Sequence, residues 1–239
     1  MKNGLLGTNV SKEKKIALLK LAFDLEMNQP SGRIIQIGAV VGDVSDGSIK
    51  GEFSVLIDPQ EPLCRENSLD RTRVDIPALT GISDEMIRAS GVPLPVGFAR
   101  FIQFAKEHGI RFSPKSEVIE PFSLWCWGSG DLWMLRRQLL SESDREEEAP
   151  FPLGRRFRDI KTIWEAYAEA VGLKIRGGLG KAIQRLGLFE FEGKAHNATV
   201  DAKNTFRIGF ELMKAFHPIH KEGRPSPKAT DQQPDGLPE

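Results

Sequence analysis

The sequence predicts an α/β fold: an antiparallel meander of three strands at the front of the chain, then helices with a further strand among them. Three observations predict it. Residues 33–41 are rich in β-branched side chains and residues 51–57 alternate polar with apolar, on either side of the turn signal Asp46-Gly47-Ser48. From about Ile76 the apolar residues shift to helical spacing. A short apolar run, Phe122 to Trp127, then interrupts the helices with a strand.

Each element follows from local pattern. Ile16 to Glu26 reads as the first strand, apolar until it ends on Asp24, Leu25 and Glu26, and Asp58-Pro59 closes the third. Ser83 caps a short helix starting at Asp84, and Phe98, Ile102 and Ala105 mark the apolar face of a longer one that stops before Gly109. Gly128-Ser129-Gly130 turns the Phe122–Trp127 strand into a helix carrying Leu132, Leu135 and Leu139, so Asp131 falls in its first turn. A charged loop spans Ser141 to Pro152. Asp159 caps a helix with Ile160, Trp164, Tyr167 and Val171 on its apolar face, closed by Gly172. Another short helix covers Leu179 to Leu186. The last helix begins near Thr199, carries Phe206, Phe210 and Met213, and holds Asp201 in its first turn, with His196 in the loop before it. Residues 1–15 read as a polar N-terminal segment, 16–216 as one folded domain, and 217–239 as a disordered tail.

Composition narrows the class. The 239 residues are 40% hydrophobic, enough for a sizeable core, but no apolar stretch approaches the ~20 residues that span a membrane. No signal peptide is evident at the N-terminus, so the expected setting is cytoplasmic, without a membrane partner. The formal net charge is zero, which argues against a broad basic surface for wrapping duplex. Cys64 and Cys126 are the only cysteines, and they read as one loop thiol and one core thiol rather than a metal site or a disulfide.

Four carboxylates and an imidazole stand at the ends of these elements. Positions i and i+2 of a strand share a face, so Asp24 and Glu26 project together and can share a metal ion. Asp131, His196 and Asp201 arrive from two other segments that also end at strand or helix termini. Taken singly, each has an ordinary explanation: polar residues leaving a sheet, a carboxylate favoured at a helix N-terminus, a loop histidine. Together they supply what two-metal phosphodiester cleavage requires, namely hard oxygen ligands suited to Mg²⁺ or Mn²⁺ and a base that titrates near neutrality. Trp125 and Trp127 could stack on bases, but within a buried strand they read as core.

With these residues in place, the chain resembles the DEDDh 3′→5′ exonucleases over about residues 16 to 215. Phe23-Asp24-Leu25-Glu26 is similar to the first motif of that family, Trp127-Gly128-Ser129-Gly130-Asp131 to the second, and His196 through Asp201 to the third. Leu79-Thr80-Gly81-Ile82 is similar to a segment that packs near the terminal nucleotide. Phe157-Arg158-Asp159-Ile160-Lys161-Thr162 and Leu186-Gly187-Leu188 look most like the histone-mRNA and KapD-like branch, whereas Asp24-Leu25-Glu26-Met27 is closer to oligoribonuclease. Val200 departs from the first branch, which often has a second acidic residue there.

The resemblance implies a ribonuclease H-like fold, a mixed five-stranded sheet in which parallel strands join the meander, flanked by helices. It implies that Asp24, Glu26, Asp131 and Asp201 hold two divalent ions, that His196 activates water, and that Leu25, Met27 and Ile82 pack against the terminal base or sugar. The expected partner is the 3′ end of a single-stranded nucleic acid, RNA favoured over DNA, with nucleoside 5′-monophosphates as products. The competing expectations are a non-catalytic adaptor on the same fold, an endonuclease built on the same metal logic, and an exonuclease restricted to DNA or to short oligoribonucleotides.

Overall fold

Strands β1 (Leu19–Met27), β2 (Ile34–Asp43) and β3 (Ser48–Leu56) form the expected antiparallel meander. The computed structural model describes residues 18–65, 74–142, 151–187 and 189–216. The expected N-terminal segment and C-terminal tail lie outside the described residues, as does most of the charged loop after Ser141. Helices α1 (Ile76–Thr80), α2 (Asp84–Ser90) and α3 (Leu94–Glu107) follow, then β4 (Leu124–Cys126), α4 (Gly130–Glu142), β5 (Arg158–Asp159), α5 (Ile160–Ala170), α6 (Leu179–Leu186) and α7 (Ala198–Phe216). The sheet has five strands in the order β3-β2-β1-β4-β5, with β4 parallel to both β1 and β5. The parallel half places the ends of β1, β4 and β5 along one rim.

The alternation of β1 decides which way its carboxylates face. Leu21, Phe23 and Leu25 enter a core shared with Phe98, Phe101 and Leu135 of α3 and α4. Ala22 enters the opposite core, with Trp125, Trp164 and Phe206. Asp24 and Glu26 have the parity of Ala22 and therefore face the α7 side. Across the β1–β2 ladder, Asp24 stands opposite Gly38 and Glu26 opposite Gln36.

Gly38 lets α7 approach this close. A Cβ there would lie 2.1 Å from the Thr199 nitrogen and 2.2 Å from the Ala198 carbonyl carbon, backbone atoms that can yield only by moving the helix. Gly38→Ala is therefore expected to push the α7 N-terminus, and Asp201 with it, off the sheet at a cost of about 1–3 kcal/mol or more. Thermal unfolding checks this, and an unchanged midpoint would contradict the packing.

Sequence and structure differ at a few places. The two-residue strand β5 has no periodicity of its own; it exists because Trp125 and Cys126 of β4 pair with Arg158 and Asp159. The expected third strand begins earlier, at Ser48, and the Phe122–Trp127 run is strand only over Leu124–Cys126. Helix α4 runs through Glu142, past the expected start of the loop. Val171 sits beyond the last turn of α5 as its C-cap, and Met213 borders a groove between α5 and α7, so both are exposed rather than core.

Candidate active site

Asp24 and Glu26 from β1, Asp131 from the first turn of α4 and Asp201 from the first turn of α7 converge at the sheet rim. Their electrostatics show the convergence. Burial pushes the Asp24 carboxyl well above the usual range, and the charges of Asp131, Asp201 and Glu26 push it further. Glu26 is raised to about 8 by burial first and then by Asp201 and Asp131. Asp131 rises to about 7, mainly through burial, although a hydrogen bond with Asp24 works in the opposite sense. Burial also raises Asp201, against the stabilising His196 N–H and ring.

Two carboxyls that hydrogen-bond to each other need a proton between them, or a cation in its place. The ligand atoms of Glu26, His196 and Asp201 all lie within 4.8 Å of one another. Four mutually repelling, largely buried carboxyls beside an imidazole thus fit a divalent cation with hard oxygen preference. Cys126, on the neighbouring strand, is buried and its thiol is pushed up by burial and by Asp131, Asp159 and Asp24. It is packing, not chemistry.

Helix α7 is seated by side chains whose role no sequence pattern announces. Gln36 is 4% exposed; its amide oxygen accepts from the Ala198 N–H at 3.0 Å, and its nitrogen donates to Ser54 Oγ at 3.0 Å. Asn197 caps the same turn by accepting from the Val200 N–H at 3.3 Å. A strand residue paired across from Glu26 thereby anchors the helix that carries Asp201.

His196 is exposed on the Gly193–Asn197 loop, with φ of 62°, in the left-handed region that histidine adopts more readily than most residues. Its backbone N–H donates to Asp201 Oδ2 at 3.0 Å, so the loop is tied to the carboxylate it serves. At the other end, buried Asn204 donates to the Glu192 carbonyl at 2.9 Å and accepts from the Glu192 N–H at 3.1 Å. Lys203 and Arg207 pair with the Glu192 carboxylate as well. Lys194 Nζ reaches the Ala78 carbonyl at 3.5 Å, which sets this loop beside the Leu79–Ile82 segment. That segment turns at Gly81, the left-handed cap of α1, with φ of 81°.

Asp159 fastens the third carboxylate. Its Oδ1 accepts from the Thr162 N–H at 3.2 Å, capping α5 as expected, and also from the Gly128 N–H at 3.0 Å, in the turn leading to Asp131. Asp159→Ala is expected to lower stability by about 1 kcal/mol and to weaken Mg²⁺ binding by loosening Asp131. Asp159→Asn, whose amide oxygen can accept both bonds, should keep both properties. Calorimetric titration with Mg²⁺ decides, and equal affinity in the alanine variant and the parent would sink the link.

The three residues expected against the substrate occupy different surroundings. Leu25 is 5% exposed in the α3–α4 core, on the face of β1 away from the carboxylates. Met27 is half-buried and packs against the same core. Ile82 is 3% exposed in a small cluster with Ile35, Leu63, Ile76 and Ile87. Trp125 is core, as read, and Trp127 packs partly buried against the α7-side core.

No family model matches the chain. Curated relatives include ERI1 exoribonuclease 2 from Danio rerio, 26% identical over 223 residues and covering 86% of this chain but 36% of that protein. The Homo sapiens protein of the same name is 24% identical over 227 residues, covering 89% of this chain and 30% of its own length. The chain thus spans about a third of the length of these relatives. Among solved structures, the nuclease domain of 3′hExo, a DEDDh family member bound to rAMP, superposes with a TM-score of 0.62 at 16% identity, covering 84% of this chain and 94% of that one. Cell-death related nuclease 4 gives 0.60 at 20% identity, over 82% and 64%. The structural matches establish the fold as ribonuclease H-like, and with the curated relatives they bear out the resemblance to the DEDDh exonucleases.

Proposed function

We propose that this chain hydrolyses phosphodiester bonds one at a time from the 3′ end of single-stranded nucleic acid, RNA in preference to DNA, releasing nucleoside 5′-monophosphates. The observation that carries this reading is the meeting of Asp24, Glu26, Asp131 and Asp201 from three chain segments, with the His196 loop tied to Asp201. These four carboxylates would hold two divalent ions, Mg²⁺ or Mn²⁺. Bound there, the ions supply acidity for the attacking water and charge relief for the leaving oxygen.

The chain's own residues do the rest. His196, exposed on its short loop, takes the proton of the attacking water, and the bond from its backbone N–H to Asp201 holds the loop so that the ring stays beside the carboxylates. Met27, half-buried just past Glu26, retains surface for the terminal nucleotide. The preference for RNA is supported by the curated relatives, which are named exoribonucleases. The preference for a 3′ end is supported by a structural neighbour described as recognising the 3′ end of the histone mRNA stem-loop.

Matched RNA and DNA oligonucleotides, incubated with the pure chain and Mg²⁺ or Mn²⁺, test the reading. Mononucleotides should accumulate from the 3′ end, RNA faster, with circular substrate untouched and chelator stopping the reaction. His196→Ala should lower kcat by about 10²–10⁴. Saturable binding without turnover would instead make the chain an adaptor, and full activity in His196→Ala would remove the proposed base.

A further inference from the structure

The loop that carries His196 also carries a cation. Lys194 stands two residues before the histidine, exposed, between the turn at Gly193 and the start of α7. Glu192, the carboxylate nearest to it in sequence, is taken by Lys203 and Arg207, and among the described residues no carboxylate pairs with Lys194. Its ammonium instead meets the Ala78 carbonyl at 3.5 Å, the far limit of a hydrogen bond and a contact that costs little to give up.

That reach spans a cleft. Helix α1 packs Ile76 against Ile35 of β2, and Ile82, just past the Gly81 cap, joins the same cluster. Ile35 adjoins Gln36, which stands opposite Glu26 and accepts from the Ala198 N–H at the start of α7. The α1 turn and the His196 loop are therefore two walls at one end of the sheet, the Glu26 end. Lys194 crosses from the second wall to the first: besides meeting Ala78, its Nζ lies 3.8 Å from where a Cβ would stand at Gly81. The same loop brings the His196 ring within 4.8 Å of ligand oxygens of Glu26 and Asp201. A strand lying between these walls, with its last phosphate at the carboxylates, would meet the ammonium.

Resting on the exonuclease reading, we propose that Lys194 binds the substrate strand at an internucleotide phosphate on the 5′ side of the scissile one, exchanging its carbonyl contact for that anion. The scissile phosphate belongs to the carboxylates and their ions, and in a strand cut at its 3′ end every other phosphate lies on the 5′ side. A lysine suits the place, because an ammonium is a point charge on a flexible stem that grips a phosphate without reading a base. The contact therefore recurs at each step along the strand, whatever its sequence. The bond from the His196 backbone N–H to Asp201 fixes the loop against the carboxylates, so the lysine is rooted at a set distance from the bond to be cut.

The test uses the full chain at a fixed Mg²⁺ concentration with two substrates: an oligouridylate, and the p-nitrophenyl ester of uridine 5′-monophosphate, whose only phosphate is the scissile one. On the oligouridylate, Lys194→Ala should raise KM about three- to tenfold with a smaller change in kcat, and Lys194→Arg, which keeps the charge, should recover most of it. On the ester, the loss of kcat/KM in Lys194→Ala should be smaller by roughly threefold or more. Removing one phosphate contact should also flatten the fall of log kcat/KM with log salt concentration by about 0.7 on the oligouridylate. An unaltered KM and salt slope in Lys194→Ala overturns the proposal, and so does an equal loss on both substrates, which would make the lysine a support for the loop alone. If the wild-type chain cleaves neither substrate, the exonuclease reading falls. The salt slope of oligouridylate binding, read by fluorescence anisotropy in the wild-type chain and in Lys194→Ala, then still decides whether the lysine meets a phosphate.

Discussion

Glu26→Gln is expected to abolish turnover and yet make the metal-free chain more stable at alkaline pH. Glu26 is 7% exposed and its carboxyl is raised from 4.5 to about 8 in the fold, by burial and by the charges of Asp201 and Asp131. Holding it ionised above that value costs free energy that the unfolded chain does not spend. A shift of this size corresponds to at most about 5 kcal/mol, shared among carboxyls that titrate together, so about 2–4 kcal/mol is the expected gain on neutralising it. Glutamine keeps the shape, removes the charge and offers an N–H₂ to Asp201. In a domain of this size the melting temperature should rise by roughly 5–15 °C at pH 9 in chelator. Activity should fall by more than about a hundredfold, because the same charge is what a cation needs. Thermal melts of parent and variant in chelator at pH 9 check the first half; a less stable variant would show that Glu26 is held by packing and not strained by its neighbours.

Such opposed effects also explain what was legible in the sequence and what was not. The three meander strands, the caps at Ser83 and Asp159, and the placement of Asp131 and Asp201 in first turns all follow from local pattern, and the structure reproduces them. The carboxylates were legible only as a set: each alone reads as a polar strand end or a favoured helix-start charge, and it is their shared place at element ends, in three segments, that marks them. What holds them was not legible. Gln36 reads as one polar residue in a β-branched strand, and only the ladder shows it opposite Glu26 and under α7. Asn204 reads as one polar position on a helix, and only the fold brings Glu192 to it. Strand β5 carries two residues and borrows its conformation from β4.

Adding Mg²⁺ to the metal-free chain near neutral pH is expected to release protons and to raise stability by an amount that grows with pH. Asp24, Glu26, Asp131 and Asp201 all have carboxyls raised in the fold, to about 7 for Asp131 and about 8 for Glu26. A raised carboxyl contributes stability that is fully present below its unfolded value, near 4, and is lost as pH climbs through the folded value. The metal-free fold should therefore weaken progressively from about pH 4 to pH 8. A cation binds the deprotonated carboxylates, so at pH 6 to 7 it must displace protons, and at pH 8 to 9 it relieves repulsion already present. Calorimetric titration with Mg²⁺ in two buffers of different ionisation enthalpy should give different apparent heats, equivalent to about one proton or more released at pH 6.5 and fewer at pH 9. Identical heats in both buffers at pH 6.5 would mean that the carboxylates are already charged without the ion. Because protons and cations compete for the same oxygens, the Mg²⁺ concentration that half-activates turnover should fall as pH rises from 6 through 8, and level off only once Glu26, raised to about 8, is ionised.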